Sequence, residues 1–156
     1  RVMEQKIYIE MMKALGANPT PMAFGELFSS LQQGTVDGQE NPVNVIYSFK
    51  LYETQNHLSL TRHSYAPATI VMSKKLFDEM PVDVQTVFTA AAQEAAEYER
   101  QMNADSEASQ MEELVANGME IVTPDVKAFK AKITDVYTKY GDKFGDYIDR
   151  ILAELE

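Results

Sequence analysis

The residues able to do chemistry are few and lie far apart in the chain. Arg1 is the only arginine before Arg62, and a guanidinium presents a planar fork of donors that fits a carboxylate bidentately, which lysine cannot do. Taken by itself, a terminal arginine reads first as a solvated side chain. The run Asp37-Gly38-Gln39-Glu40-Asn41 packs oxygen-bearing side chains around one glycine. A calcium loop of the EF-hand kind needs ligands at alternate positions, glycine at the sixth and glutamate at the twelfth, and this run meets neither requirement. Asn41 stands just before Pro42, where its side chain either caps the following helix or faces a ligand. Phe24 reads first as a packing residue, with stacking on a ligand as the alternative.

The remaining inventory argues against catalysis. The chain has no cysteine, which removes disulfides, thiolate nucleophiles and cysteine metal sites and fits either redox compartment. Ser29 and Ser30 lack the flanking glycines of a nucleophile elbow. The glycines, at 16, 25, 34, 38, 118, 141 and 145, are too widely spaced for a dinucleotide fingerprint or a phosphate-cradling loop. His57 and His63 fall on a strand-like stretch, and at about 3.3 Å per residue they stand too far apart to share a metal. They read as ordinary sheet or hinge residues. The expectation is a protein without enzymatic activity, metal or cofactor.

With 156 residues, 45% hydrophobic and 24% charged, the chain can bury one good core and is neither disordered nor collagen-like. Its formal net charge of −10 disfavours phosphate backbones and anionic lipid as partners, so nucleic acid is not expected. The charge is unevenly placed. Residues 1–77 carry 7 basic and 6 acidic side chains, residues 78–120 carry 1 and 11, and residues 121–156 carry 6 and 7. The acidic surplus is therefore a property of the middle segment, read most simply as a solvated helix face. No stretch reaches the roughly 18 apolar residues that a membrane-spanning helix needs. The chain opens on Arg1 without the basic, apolar and small-residue succession of a signal peptide, and reads as a processed or truncated product.

Periodicity supplies the elements that must hold these residues. Ile7, Tyr8, Met11, Met12 and Leu15 mark an amphipathic helix over 5–15, stopped by Gly16. Residues 18–23, with two prolines, allow only an extended edge strand or a strand entry. Helices follow over 24–33 and 42–52, the second opened by Pro42, with a brief extended piece at 36–39. Strand-like runs occupy 57–62 and 69–73, a short helix 74–80, and a last strand 119–122. Pro81 opens a helix running to 117 with Gly118 as its stop, a rod of roughly 54 Å. Such a length means either a break near 104–106 or a helix spanning more than one packing unit. Pro124 opens a helix through 140, and a final one covers 144–155. The alternation of helices and strands predicts an α/β fold.

Two strings are specific. Ala14-Leu15-Gly16-Ala17-Asn18-Pro19-Thr20-Pro21-Met22-Ala23-Phe24-Gly25-Glu26-Leu27, then Leu31-Gln32-Gln33-Gly34-Thr35-Val36-Asp37-Gly38-Gln39-Glu40-Asn41-Pro42, closely resemble the solute receptors of tripartite ATP-independent periplasmic (TRAP) transporters, of the DctP type. Tyr52-Glu53 through Thr61 and Pro81 through Gln85 continue the resemblance in order. It covers the whole chain and corresponds to the C-terminal half of such receptors, without the N-terminal half and signal peptide.

The resemblance implies a two-lobed, periplasmic-binding-protein-like α/β fold with a long interlobe helix and a helical C-terminus. Such a receptor closes on a small organic acid, a dicarboxylate or a sugar acid among them, and delivers it to TRAP membrane permease subunits from the periplasm. It further implies that Arg1 pairs with the substrate carboxylate, that Phe24 is a cleft aromatic, and that Asn41 hydrogen-bonds the ligand. Glu4 falls at a polar position near the ligand, where a carboxylate could accept hydroxyl hydrogen bonds from a sugar acid. Tyr65, near the lobe crossover, borders the cleft. Residues 1–66 would form the arginine-bearing lobe, 67–106 the segment crossing to the other lobe, and 107–156 the return. The strand at 69–73 would expose an edge that invites self-association. The rival readings are a truncated, non-binding oligomerising module and an enzyme that processes organic acids.

Overall fold

Short apolar runs fold into eight α-helices and two strands among the described residues of this computed structural model, which describes residues 1–154. Helix α1 spans Lys6–Ala14, and Gly16 ends it at a φ of 91°, a conformation that costs a Cβ-bearing residue. A 3₁₀ turn over Phe24–Glu26 leads into α2, Leu27–Gln32. The predicted helix over 24–33 is thus two pieces, a tight first turn and a short α-helix. Helix α3 covers Val43–Ser48, and a 3₁₀ turn over Leu51–Glu53 follows it.

Strand β1, His57–Ser59, and strand β2, Glu120–Val122, pair in parallel with Leu58 opposite Ile121. Parallel neighbours require a long crossover; here it holds α4, Lys74–Asp78, and α5, Val82–Ala116. The chain closes with α6, Val126–Lys132, α7, Thr134–Phe144, and α8, Tyr147–Ala153. The helix predicted through 140 is broken at Ile133, and the predicted last helix ends on Leu155, outside the described residues.

Three predicted extended pieces form no strand. Residues 69–73 run as irregular backbone with Ile70 and Val71 exposed, residues 36–39 are a bend followed by irregular backbone, and residues 18–23 contribute only an isolated bridge between Val2 and Pro21. A β-rich run becomes a strand only where another backbone pairs with it, and here none of these runs has a ladder partner.

One core is built from Leu27, Leu31, Val36, Ile46, Leu51, Leu58, Leu114 and Met119. Helix α5 enters this core only near its C-terminal end. Of its 35 residues only Leu114, at 0% exposure, is buried, while Val82, Val87, Phe88, Tyr98 and Met102 face solvent. The helix is continuous through 104–106, where Ser106 Oγ bonds back to the Met102 carbonyl at 2.7 Å without breaking it. Every fully buried residue among those described lies in 2–58 or 114–133. The middle of the chain is an exposed excursion from a packed base.

Candidate functional site

Arg1 is fixed at both ends by neighbouring backbone. Its α-nitrogen donates to the Gly38 carbonyl at 2.6 Å, and its Nε donates to the Met22 carbonyl at 2.9 Å. The Val2–Pro21 bridge sets the second of these, because Val2 N donates to the Thr20 carbonyl and Met22 N to the Val2 carbonyl. The bridge thus brings the Met22 carbonyl within reach of the arginine.

The guanidinium carbon stands 5.8 Å from the centroid of Phe24, within range of a cation–π contact. Phe24 meets Phe49 edge to face, with centroids 4.7 Å apart and planes at 82°, the geometry aromatic quadrupoles prefer. Phe49, from the end of α3, is more than half exposed. With Nε taken up, the two Nη nitrogens have no hydrogen-bond partner among the described residues. That arrangement orients a cation while leaving its bidentate face open, which suits capture of a carboxylate.

Asn41 lies on the loop that accepts the Arg1 nitrogen. The capping alternative for it fails: α3 starts after Pro42 with no side-chain cap. Its Nδ2 instead donates to Gln39 Oε1 at 2.5 Å, and Gln55 Nε2 donates to the Asp37 carbonyl at 3.3 Å from the other side of the loop. Arg1, Phe24 and the Asn41 loop are therefore one connected construction. Glu4 and Tyr65 are not joined to it; both are exposed, Tyr65 at 90%, and neither has a hydrogen bond or ion pair among the described residues.

The two histidines lie in different surroundings. His57 is exposed beside Glu120 at 3.4 Å, whereas His63 is largely buried against Glu40 at 3.6 Å. Sequence reading missed Phe49, Met22 and the Glu40–His63 pair, since nothing in periodicity tells a second aromatic wall or a bare carbonyl from ordinary packing. A concavity of about 220 Å³ lies elsewhere, between Leu15, Thr61, His63 and the apolar faces of α6–α8. It contains none of Arg1, Phe24 or Asn41. No cluster of three or more potential metal-binding side chains occurs among the described residues.

An α/β base from which a long helix leaves the core is similar to one half of the two-lobed TRAP periplasmic solute-binding proteins. Residues 1–143 match the family described as bacterial extracellular solute-binding protein, family 7 (DctP), and the chain belongs to that family. A solute-binding protein of Verminephrobacter eiseniae is 42% identical over 146 residues, covering 93% of this chain and 44% of that protein. The crystal structure of a TRAP periplasmic solute-binding protein from Polaromonas sp. JS666, bound to D-erythronate, superposes with a TM-score of 0.88 at 42% identity, over 98% of this chain and 51% of that one. Another, from Pseudomonas putida F1 with bound D-glucuronate, gives 0.92 at 34% identity over 98% and 50%. The chain spans about half the length of the relatives it matches.

Proposed function

We propose that this chain is the C-terminal, arginine-bearing half of an extracytoplasmic receptor that binds a small organic acid and delivers it to a TRAP permease. The observation that carries this reading is Arg1, anchored through Nε and lying over Phe24 with its Nη face open. Arg1 takes the carboxylate, Asn41 supplies a hydrogen bond, and Phe24 supplies van der Waals contact. Both structural neighbours described above hold polyhydroxylated monocarboxylates, which supports sugar acids as the ligand class. Glu4 and Tyr65, exposed in this half, would meet the ligand only when the other lobe closes. Residues 1–66 are the arginine-bearing lobe, 67–106 cross to the other, and 107–156 return, a division supported by the absence of any fully buried residue from 59 to 113.

The test is calorimetric titration of D-erythronate and D-glucuronate into a protein of full family length carrying this sequence. Arg1→Ala should cost about 2 to 5 kcal/mol, the range for removing one partner of a desolvated charge pair. Unchanged affinity would overturn the assignment of Arg1. The chain alone, with half a cleft, should bind either acid weakly or not at all. A second reading, an oligomerising module, is favoured by Ile70 at 68% exposure and Val71 at 83% on unpaired backbone; self-association of the isolated chain follows from the same observation.

A further inference from the structure

Aspartate or asparagine is followed directly by glycine at two places, Asp37-Gly38 and Asn117-Gly118. In such a pair the glycine backbone nitrogen can bond to the Cγ of the preceding residue and close a succinimide ring. From aspartic acid, the proton of that nitrogen and the carboxyl hydroxyl leave as water; from asparagine, the same proton and the amide group leave as ammonia. Water then opens the ring at either carbonyl. Breaking the new N–Cγ bond gives aspartate, whereas breaking the original peptide bond leaves glycine attached through Cγ, an isoaspartate with an added carbon in the main chain. Glycine permits the attack because it has no Cβ to crowd the nitrogen. In an unfolded chain the asparagine pair is the faster, since an amide reacts in its neutral form and a carboxylate, ionised near neutrality, must first take up a proton.

The fold treats the two pairs oppositely. Asn117 ends α5, and both reacting groups are engaged there: Gly118 N donates to the Val115 carbonyl at 2.9 Å, and Asn117 Nδ2 donates to the Glu113 carbonyl at 2.8 Å. Met119 N closes the turn on the Leu114 carbonyl at 3.0 Å, and Leu114 and Met119 both belong to the core. Attack on Cγ requires this cap to open. Asp37, by contrast, is exposed on a bend. Among the described residues its carboxylate has no hydrogen bond or ion pair, and the Gly38 nitrogen has no acceptor. The two bonds made here run to carbonyls, from Arg1 to Gly38 and from Gln55 to Asp37, so neither the attacking nitrogen nor Cγ is tied down. Gly38 also has no left-handed φ, and an added Cβ would meet only Gln55 Nε2 at 3.8 Å, an ordinary contact. Alanine therefore fits at 38 and would crowd the nitrogen without displacing a neighbour.

We propose that Asp37-Gly38 is a site of spontaneous isoaspartate formation, and that the fold reverses the chemical order of the two pairs by sparing Asn117-Gly118. The position of the product gives it a consequence. The added main-chain carbon displaces the Gly38 carbonyl, which holds the Arg1 nitrogen, and shifts Gln39, which accepts from Asn41. The loop keeps its charge, because isoaspartate retains a free carboxylate, and loses its geometry. The arginine-bearing site is thus weakened with age by its own backbone. That consequence rests on the reading of Arg1 and Asn41 given above, whereas the modification itself can be tested without any ligand.

The deciding measurement is peptide mapping of the 156-residue chain after prolonged warming near neutral pH, folded and in urea. A protease that cuts before aspartate but not before isoaspartate should progressively lose its cleavage at residue 37 in the folded chain, while Asn117 keeps its amide. Two hydrogen bonds must open at the end of α5, so the folded chain should lose the Asn117 amide about tenfold or more slowly than the chain in urea. In urea Asn117 should react ahead of Asp37. Gly38→Ala should preserve cleavage at 37, and Asp37→Asn should speed isoaspartate formation there with release of ammonia. Loss of the Asn117 amide ahead of any change at Asp37 in the folded chain, or isoaspartate at 37 only in urea, would overturn the proposal. In a protein of full family length, aged material should bind D-erythronate or D-glucuronate about three- to tenfold more weakly than fresh material, and the Gly38→Ala protein should hold its own starting affinity. Unchanged affinity in protein carrying the isoaspartate would overturn the consequence for the site. If neither acid binds before ageing, the reading of the acid site fails while the peptide map still decides the modification.

Discussion

Arg1 shows how little contact is needed to aim a charged side chain. One bond from Nε to a backbone carbonyl and one aromatic face beneath the guanidinium remove rotamer freedom before any ligand arrives, so that less has to be ordered on binding. Phe24 does this through its π-face, which an aliphatic residue of similar bulk lacks. Phe24→Leu should therefore weaken D-erythronate binding in a full-length protein by about 0.5 to 1 kcal/mol, the worth of an exposed cation–π contact, while shifting the melting temperature little. A loss of stability with unchanged affinity would reduce Phe24 to packing. The sequence marked Arg1, Phe24 and the Asp37–Asn41 run because their residue types are chemically suggestive. It could not reveal the Met22 carbonyl or Phe49, because a backbone carbonyl has no side-chain signature and Phe49 belongs to the apolar stripe of α3. The same limit applies to Asn41, whose place before a proline left capping open beside ligand contact, and whose side chain bonds to Gln39 in the structure.

At the scale of elements, local signals worked where the element satisfies its own backbone and failed where another must help. Helix α5 was legible from Pro81 to Gly118 because a helix closes its hydrogen bonds internally. The runs at 18–23, 36–39 and 69–73 carry β-forming residues, yet strand formation depends on a neighbour the local sequence does not specify. The C-terminal helices depend on docking in a different way. Helix α7 packs on α1, and Lys139 Nζ reaches Glu10 Oε1 at 2.7 Å. That hydrogen bond is the leading cause that holds the Glu10 carboxyl below its usual range and raises the Lys139 ammonium above its own. The hydroxyl of neighbouring Tyr140 is raised chiefly by desolvation. A depressed carboxyl stabilises the fold above its unfolded value and loses that contribution as pH falls through the folded one; a raised ammonium does the reverse at the alkaline end. The bridge therefore acts in the window between the ordinary glutamate and lysine ranges, roughly pH 4.3 to 10.4. Glu10→Gln should lower the melting temperature near neutrality, and the difference should shrink below the glutamate range. A pH-independent difference would mean that the bridge contributes only shape.

For the molecule as a whole, the distribution of burial is uneven in the same place as the charge. Residues 78–120 hold 11 acidic side chains against one basic, and α5 within them leaves Val82, Val87, Phe88, Tyr98 and Met102 in solvent. The preceding segment exposes Ile70, Val71 and Leu76. Two forces then act on an isolated chain. Apolar burial, at about 25 cal/mol per Å², draws copies together through the unpaired 69–72 backbone, and the acidic helix pushes them apart. Salt weakens the repulsion, since the screening length falls from about 30 Å at 0.01 M to about 3 Å at 1 M, and it leaves the apolar term in place. Light scattering after size exclusion should therefore find association that grows with protein concentration and with added sodium chloride, and Val71→Lys should suppress it by placing a charge on the unpaired segment. A monomer at every salt concentration would mean that the exposed segment folds back on its own chain, and association that falls with salt would assign the contact to ion pairs instead. In a protein of full family length the same surface should be covered by the other lobe, so that Val71→Lys there lowers stability rather than the tendency to associate.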